Sequence, residues 1–325
     1  MISVVQLGRV DYAAGLRLQE RLVELRKAAQ IGDVLLLLEH TPVITLGRNA
    51  KAANVVASAE LLAERGVEVF ECDRGGDVTF HGPGQLVGYP IFDLRGFSRE
   101  PSAVSHQEKP AETTLLPSWR KSLGAVDYVR RLEEVLIRTC ADFGIATKRV
   151  AGLAGVWTEK VGATGDFQEK GNWESRGPST PQRDRFADRT APLRMTAGEG
   201  RAPSEIGGTA AFEEAKIAAI GVHISRSVTS HGFALNVNTD LSFFDLIVPC
   251  GITAKPVTSM KKELGREVDL AAVAESVSRN FGTVFASQML WVETVEALLG
   301  HTVGVPMKAP AELRELHGEK DSSLA

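Results

Sequence analysis

A glycine-dense stretch, Arg74-Gly75-Gly76-Asp77-Val78-Thr79-Phe80-His81-Gly82-Pro83-Gly84-Gln85, leads directly into an alternating apolar run from Leu86 to Leu94. Glycine has no Cβ, so its backbone reaches φ > 0 and tolerates the close approach of another chain or a ligand. The stretch therefore reads as a tight loop, and the period-2 run after it as a strand. A loop that only had to turn would not need an arginine, a threonine, a histidine and a glutamine. These residue types point to binding or catalysis. The loop matches neither the dinucleotide fingerprint nor the phosphate-binding loop, so a nucleotide cofactor has no support in it.

The segments around the loop alternate in type. Asp11 is placed to cap a helix that carries Leu16, Leu22, Val23 and Leu25 inward and stops near Gly32. Val34 to Leu38 and Val43 to Leu46 read as strands. Ser58 to Arg65 is a short helix ended by Gly66, and Val67 to Glu71 is a strand leading into the loop. Asp127 starts the clearest helix, with Leu132, Val135, Leu136, Cys140 and Phe143 at three- and four-residue steps and Gly144 just past its end. Further strands are expected at Gly155 to Thr158, Ile217 to Ile224 and Phe233 to Val237, and a helix at Leu270 to Phe285 burying Val273, Val277, Phe281 and Val284. This mixture predicts an α+β fold, with helices packed on one face of a sheet.

Two segments do not read as core. Residues 98–122 carry a dense mix of charges with three prolines. Residues 161–212 hold 8 glycines, 4 prolines and 7 positive against 7 negative charges without a sustained period, which suits a mobile insertion joining two neighbouring strands. The expected organisation is a single catalytic domain over 1–306 with these two insertions and a C-terminal tail over 307–325, which frames a short helix around Glu312 to Leu316. The roughly 250 residues left outside the insertions suffice for one domain.

Composition excludes several classes. A net charge of −4 gives no global case for nucleic acid or a membrane surface, and no apolar run approaches the ~20 residues of a transmembrane helix. The first residues lack the pattern of a secretory signal. Three cysteines, without metal-ligand spacing, argue against a disulfide framework or a metal site and for a reducing, cytoplasmic setting.

Cys72, at a strand end, and Cys140, on an apolar helix stripe, fit ordinary packing. Cys250, between Pro249 and Gly251, fits it poorly, because it interrupts a turn. An unperturbed thiol is only a few per cent thiolate at neutral pH, so a nucleophilic cysteine needs a neighbouring base or cation. Lys216, His81, His223 and His231 are the candidates. Lys216 precedes an apolar strand and reads either as a solvated strand end or as an amine whose pKa is lowered by burial. His223, His231 and His40 have ordinary explanations as a strand, a turn and a capping residue. His81 alone lies in the glycine loop. The local cues of a cysteine protease are missing.

Four blocks together resemble the lipoyl(octanoyl) transferases, which move an octanoyl chain from acyl carrier protein to a lysine of lipoyl domains. They are His40-Thr41-Pro42-Val43-Ile44-Thr45-Leu46-Gly47-Arg48; Arg74 to Gln85; Lys216-Ile217-Ala218-Ala219-Ile220-Gly221; and His231-Gly232-Phe233-Ala234-Leu235-Asn236-Val237 continuing to Pro249-Cys250-Gly251. The resemblance implies the mixed sheet flanked by helices of biotin and lipoate protein ligases, a class II synthetase-like fold. It implies Cys250 as the acyl-thioester nucleophile and Lys216 as the residue that activates it and relays protons. Arg74, Gly75, Gly76, Asp77, Val78, Thr79, Phe80 and His81 would line the acyl pocket with Ala219, Ile220, Gly221, Gly232, Phe233 and Ala234.

Each buried methylene is worth ~0.8 kcal/mol, so the depth of such a slot would select chain length. Neither ATP nor a metal is implied, because the donor is already a thioester. The implied partners are octanoyl-acyl carrier protein and the lipoyl domains of 2-oxoacid dehydrogenase complexes and of glycine cleavage H protein. A monomer is expected, with a basic rim that includes Arg48, Lys148 and Arg149. The alternatives are an ATP-dependent ligase or an amidotransferase of the same fold, a non-catalytic acyl-binding paralogue, and a cysteine hydrolase. Both insertions are longer than the family usually shows.

Overall fold

A computed structural model describes residues 1–97, 122–159, 214–248 and 256–300. The chain divides into one unit of 1–159 with 213–325 and another of 160–212, and all described residues belong to the first. The insertion at 161–212, nearly all of that at 98–122, the tail at 307–325 with its helix at Glu312 to Leu316, and Cys250 lie outside the described residues.

The apolar run at Val34 to Leu38 explains the architecture. It lies in β2 (Asp33–His40), and a strand with no polar face must be covered on both sides. Its odd and even residues do face different cores. Val34, Leu36 and Leu38 pack with Leu18, Leu22 and Leu25 of α1 (Tyr12–Lys27) and with Val295 and Leu298 of α6 (Val295–Gly300). Leu35 and Leu37 join the opposite core with Leu132, Val135 and Leu136 of α3 (Ala125–Asp142) and Val273, Val277 and Phe281 of α5 (Leu270–Val284). Helices therefore cover both faces of the sheet. The expectation of one covered face is corrected, and the reason is visible in the unbroken apolar run of a central strand.

Among the described residues the main sheet has eight strands in the order β11-β1-β2-β6-β10-β9-β8-β7. In chain order they are β1 (Ile2–Val10), β2, β6 (Gln85–Ile91), β7 (Thr147–Val150), β8 (Leu153–Thr158), β9 (Lys216–Ser225), β10 (Val228–Asn236) and β11 (Met289–Trp291). β1 runs parallel to β2 and β11, and all other pairings are antiparallel. A second sheet, β4-β3-β5, sets β3 (Val43–Leu46) parallel to β4 (Glu68–Glu71) and antiparallel to β5 (Val78–His81). It packs with α2 (Ala59–Glu64) and the 3₁₀ segment Leu241–Leu246 on its own small core of Ile44, Val78, Phe80, Phe244 and Leu246. A further short helix, α4 (Met260–Leu264), precedes α5.

Local rules account for most boundaries. The Asp11 carboxylate accepts the Ala14 N–H at 2.8 Å and Ser58 Oγ that of Leu61 at 3.3 Å, as N-caps do. α3 begins at Ala125 after Gly124, so Asp127 sits in its first turn, where a negative charge suits the helix dipole. Strands β1, β5, β7 and β11 are short or weakly patterned and are not among those expected. No helix among the described residues is long and apolar enough to cross a membrane.

Candidate active site

Lys216 opens β9, and its backbone fixes two neighbours. Its N–H donates to the Pro256 carbonyl (2.8 Å), and its carbonyl accepts the Thr258 N–H (2.9 Å). Its aliphatic stem packs over Gly155, and its Nζ stands 5.2 Å from the centroid of the buried Trp157 ring. The position of Cys250 is outside the described residues. The residues bordering the undescribed segment 249–255 are anchored: the Val248 N–H donates to the Asn54 carbonyl at 2.7 Å, and Pro256 holds Lys216.

Lys216 borders an open cleft, about 510 Å³ with its solvent-filled mouth, that Arg74, Gly76, Asp77, Thr79 and His81 line together with Ala219, Ile220, Gly221, Gly232, Phe233 and Ala234. A smaller neighbouring hollow shares Thr79, Lys216, Ala219 and Ala234 with it. The walls meet backbone to backbone. A Cβ on Gly221 would lie 2.7 Å from the Gly75 carbonyl oxygen, and one on Gly232 only 2.1 Å from that of Gly88.

Of the expected pocket residues, Val78 and Phe80 point away. They lie in β5, where successive side chains alternate, so Thr79 and His81 reach the cleft while Val78 and Phe80 enter the small core. Gly75 acts through its backbone: its N–H donates to Val222 of β9 at 3.0 Å.

Arg74 lines the cleft, yet its guanidinium is spent on the loop itself. Nε and Nη2 donate to Thr45 Oγ1 (3.1 and 2.9 Å), Nη2 also to the carbonyls of Thr45 (2.7 Å) and Asp77 (2.6 Å), and Nη1 to the Gly75 carbonyl (3.1 Å). A buried charge held in this way is a clip between β3 and the glycine loop. Gly76, at φ 95°, supplies the left-handed turn.

His81 Nδ1 lies 2.7 Å from Gln85 Oε1, and Gln85 Nε2 donates to Asn236 Oδ1 (2.8 Å), whose own amide donates to the Thr258 carbonyl (2.9 Å). Burial pushes His81 down to about 3 and the buried His40 to about 4. His40 is held between the Val10 carbonyl (2.8 Å) and the Tyr89 hydroxyl (2.6 Å). Tyr12, Val87 and Tyr89 also line the cleft and escaped the sequence reading. The alternation of β6 could have paired Val87 with Tyr89. Nothing local marks Tyr12, whose neighbours in space are Phe70, His40 and His81.

His231 belongs to β10 rather than to a turn, is buried, and lines the cleft in a left-handed conformation (φ 55°). Its Nε2 lies 2.7 Å from Asp73 Oδ1, while the other Asp73 oxygen meets His223 Nδ1. Burial alone would raise the Asp73 carboxyl, but hydrogen bonds and charge from His231 and His223 hold it below the ordinary carboxylate value. The expected basic rim is largely paired: Lys148 with Glu214 (2.6 Å), Arg149 with Glu133 (3.1 Å) and Glu134 (2.7 Å), and Arg48 with His223 (2.9 Å). Chemically, the cleft offers an apolar slot, an amine at one wall and neutral imidazoles beside it.

The family model described as "Lipoyl protein ligase A/B catalytic domain" matches residues 11–282. The octanoyltransferase of Koribacter versatilis is 50% identical over 317 residues, covering 98% of this chain and 97% of that protein. The octanoyltransferase of Acidobacterium capsulatum is 47% identical over 301 residues, covering 92% and 96%. Among solved structures, a bipartite lipoate protein ligase of Thermoplasma acidophilum superposes with a TM-score of 0.55 at 14% identity, covering 98% of this chain and 92% of that one. A lipoate-protein ligase A bound with ATP gives 0.53 at 12%, covering 98% and 94%. The structural likenesses establish the fold, and the mixed sheet between helices agrees with it. On the family match and the near full-length identities, the chain belongs to the lipoyl protein ligase A/B catalytic family, among its octanoyltransferases.

Proposed function

We propose that octanoyl transfer by this chain runs through a thioester on Cys250, with octanoyl-acyl carrier protein as donor. The acceptors are lysines of lipoyl domains in 2-oxoacid dehydrogenase complexes and in glycine cleavage H protein. In the first half-reaction Lys216 takes the Cys250 proton, and the thiolate attacks the donor carbonyl. The carbon–sulfur bond to the carrier breaks, and the carrier thiolate takes the proton from Lys216. In the second, the acceptor amine attacks the acyl-cysteine and forms the amide. Its proton passes through Lys216 to the departing Cys250 sulfur. One thioester is exchanged for another before the amide forms, so no ATP, metal or other cofactor enters, and ping-pong kinetics result.

The observation that carries this reading is Lys216 in the wall of a mostly apolar cleft. Its backbone is bonded to Pro256, six residues after Cys250 in sequence. The reaction sits in a single domain over 1–306 in the cytoplasm, a compartment in which free thiols persist.

Intact-protein mass spectrometry tests it. Wild type incubated with octanoyl-acyl carrier protein without ATP gains one octanoyl group, and a lipoyl domain discharges it. Cys250→Ala gains none, and Lys216→Ala gains it far more slowly. An equal adduct on Cys250→Ala, or transfer that requires ATP, overturns the thioester reading.

A further inference from the structure

We infer that Glu133, a buried carboxylate on α3 with no part in the steps above, is a positioning residue for Lys216 that acts through the backbone of Gly155. The inference rests on the reading of Lys216 as the proton carrier and names what sets its side chain in place.

Glu133 is 0% exposed, and a carboxylate is buried only when its oxygens are satisfied. One oxygen accepts the Arg130 Nη1–H (2.7 Å) and the Arg149 Nε–H (3.1 Å), both from arginines that remain partly exposed. The other accepts the Gly155 N–H at 3.3 Å in the interior. That amide has a reason to need an outside partner. The β7–β8 register passes from Leu153 to Trp157 without pairing Gly155, and the β8–β9 register shifts between Val156 and Trp157, opposite Ala218 and Lys216.

Gly155 itself is in a conformation that other residues rarely adopt, φ 115°. A Cβ there would stand 2.5 Å from the Ala218 carbonyl oxygen and 2.8 Å from Lys216 Cε. Two residues on, Trp157 supplies the ring that faces Lys216 Nζ. The irregular strand thus forms the seat of the lysine side chain, and Glu133 is the group from α3 that pins it. An ion pair alone would not require the carboxylate to be buried, since Glu134 already meets Arg149 at the surface (2.7 Å).

Charge and reach can be separated. Glu133→Asp keeps the charge but withdraws the carboxylate from Gly155. Glu133→Gln keeps the reach, offering its carbonyl oxygen to the Gly155 N–H while the two partly exposed arginines turn to solvent. Transfer kinetics with octanoyl-acyl carrier protein and a lipoyl domain are measured on both. Reactivity of Lys216 toward trace acetic anhydride, relative to the other lysines, is read by peptide mass spectrometry.

In folded Glu133→Asp, kcat falls by roughly 10- to 100-fold, as it does when a reacting group is misplaced by about 1 Å. KM changes little and Lys216 labelling shifts, while Glu133→Gln stays near wild type in both readouts. Gly155→Ala, whose new methyl would press on Lys216 Cε, reaches the same signature by a second route and serves if Glu133→Asp does not fold. Wild-type kcat and labelling in Glu133→Asp overturn the inference, and so does equal impairment of Glu133→Gln, which would assign the effect to the ion pairs. Full transfer by Lys216→Ala would instead bring down the proton-carrier reading, and the labelling comparison would still decide what positions the side chain.

Discussion

Two pairs of histidines flank the cleft with different partners. His40 and His81 lie inside, with ring centroids 6.0 Å apart, and Tyr12 packs against both. Among the described residues their hydrogen-bond partners are a backbone carbonyl, a tyrosine hydroxyl and a glutamine amide. His223 and His231 instead share Asp73, whose side chain is 56% exposed. The inner pair is therefore kept neutral by desolvation, with the charge of His40 as a second influence lowering His81. A neutral, aromatic inner wall is what the proposed acyl chain would need, because an imidazolium would be a poor neighbour for a saturated chain. The outer pair ties the glycine loop to the β9–β10 hairpin through a carboxylate in contact with water. The same residue type thus serves as wall or as latch according to what surrounds it.

The largest effect is that of acid on the inner pair, and His231, whose pKa burial also lowers, adds to it from the outer pair. A histidine whose folded pKa lies below its unfolded value binds its proton more readily in the unfolded chain. Its contribution is therefore complete above about pH 6.5 and is lost as pH falls toward 4. Between pH 6.5 and 4.5 the inner pair should lower the unfolding free energy by roughly 4 kcal/mol, each group contributing about 1.4 kcal/mol per pH unit at most. Carboxylates held down by partners, such as Asp73, lose their contribution only below that window. Denaturant titrations across it check the effect, and His81→Gln should remove about half of the inner pair's share of the slope. A flat profile would break the comparison.

A smaller effect is expected from narrowing the slot. Ala219→Phe places a ring at the junction of the two cavities. Excluding three methylenes of the chain at ~0.8 kcal/mol each should lower kcat/KM for the octanoyl donor roughly fiftyfold. A shorter acyl donor should lose less. Equal loss for butanoyl and octanoyl donors would show that this wall does not hold the chain.

The smallest effect belongs to the latch. Asp73→Asn keeps the shape and removes the charge. Because the side chain is more than half exposed, solvent screening keeps the loss of stability under ~1 kcal/mol. Transfer should fall by roughly threefold, the equivalent of ~0.6 kcal/mol in the barrier. A loss as large as that of Ala219→Phe would move Asp73 from the edge of the site to its centre.

Much of this was legible before any coordinates. Asp11, Ser58 and Gly144 mark helix ends through interactions within four residues, and the apolar runs of β2, β9 and β10 are strands by their own pattern. The glycine loop and the Lys216 block were recognisable as a site because their residue types are poor choices for mere turning. Strand β5 was hidden inside that loop. Four residues that pair with β3 carry no local sign of their partner, so it was not visible that Val78 and Phe80 would be core while Thr79 and His81 would face the cleft.

The amino-acid sequence by itself determined the elements, their caps and the residue types available for chemistry, since these depend on neighbours a few positions apart. Tertiary structure decided which of those residues meet. Asp73 reaches His223 and His231 across at least 150 residues, Gln85 reaches Asn236 across 151, and Arg74 is consumed by Thr45. Strand order fixes such encounters, and strand order follows from which apolar faces can be buried together, a property of the whole chain that no local window contains.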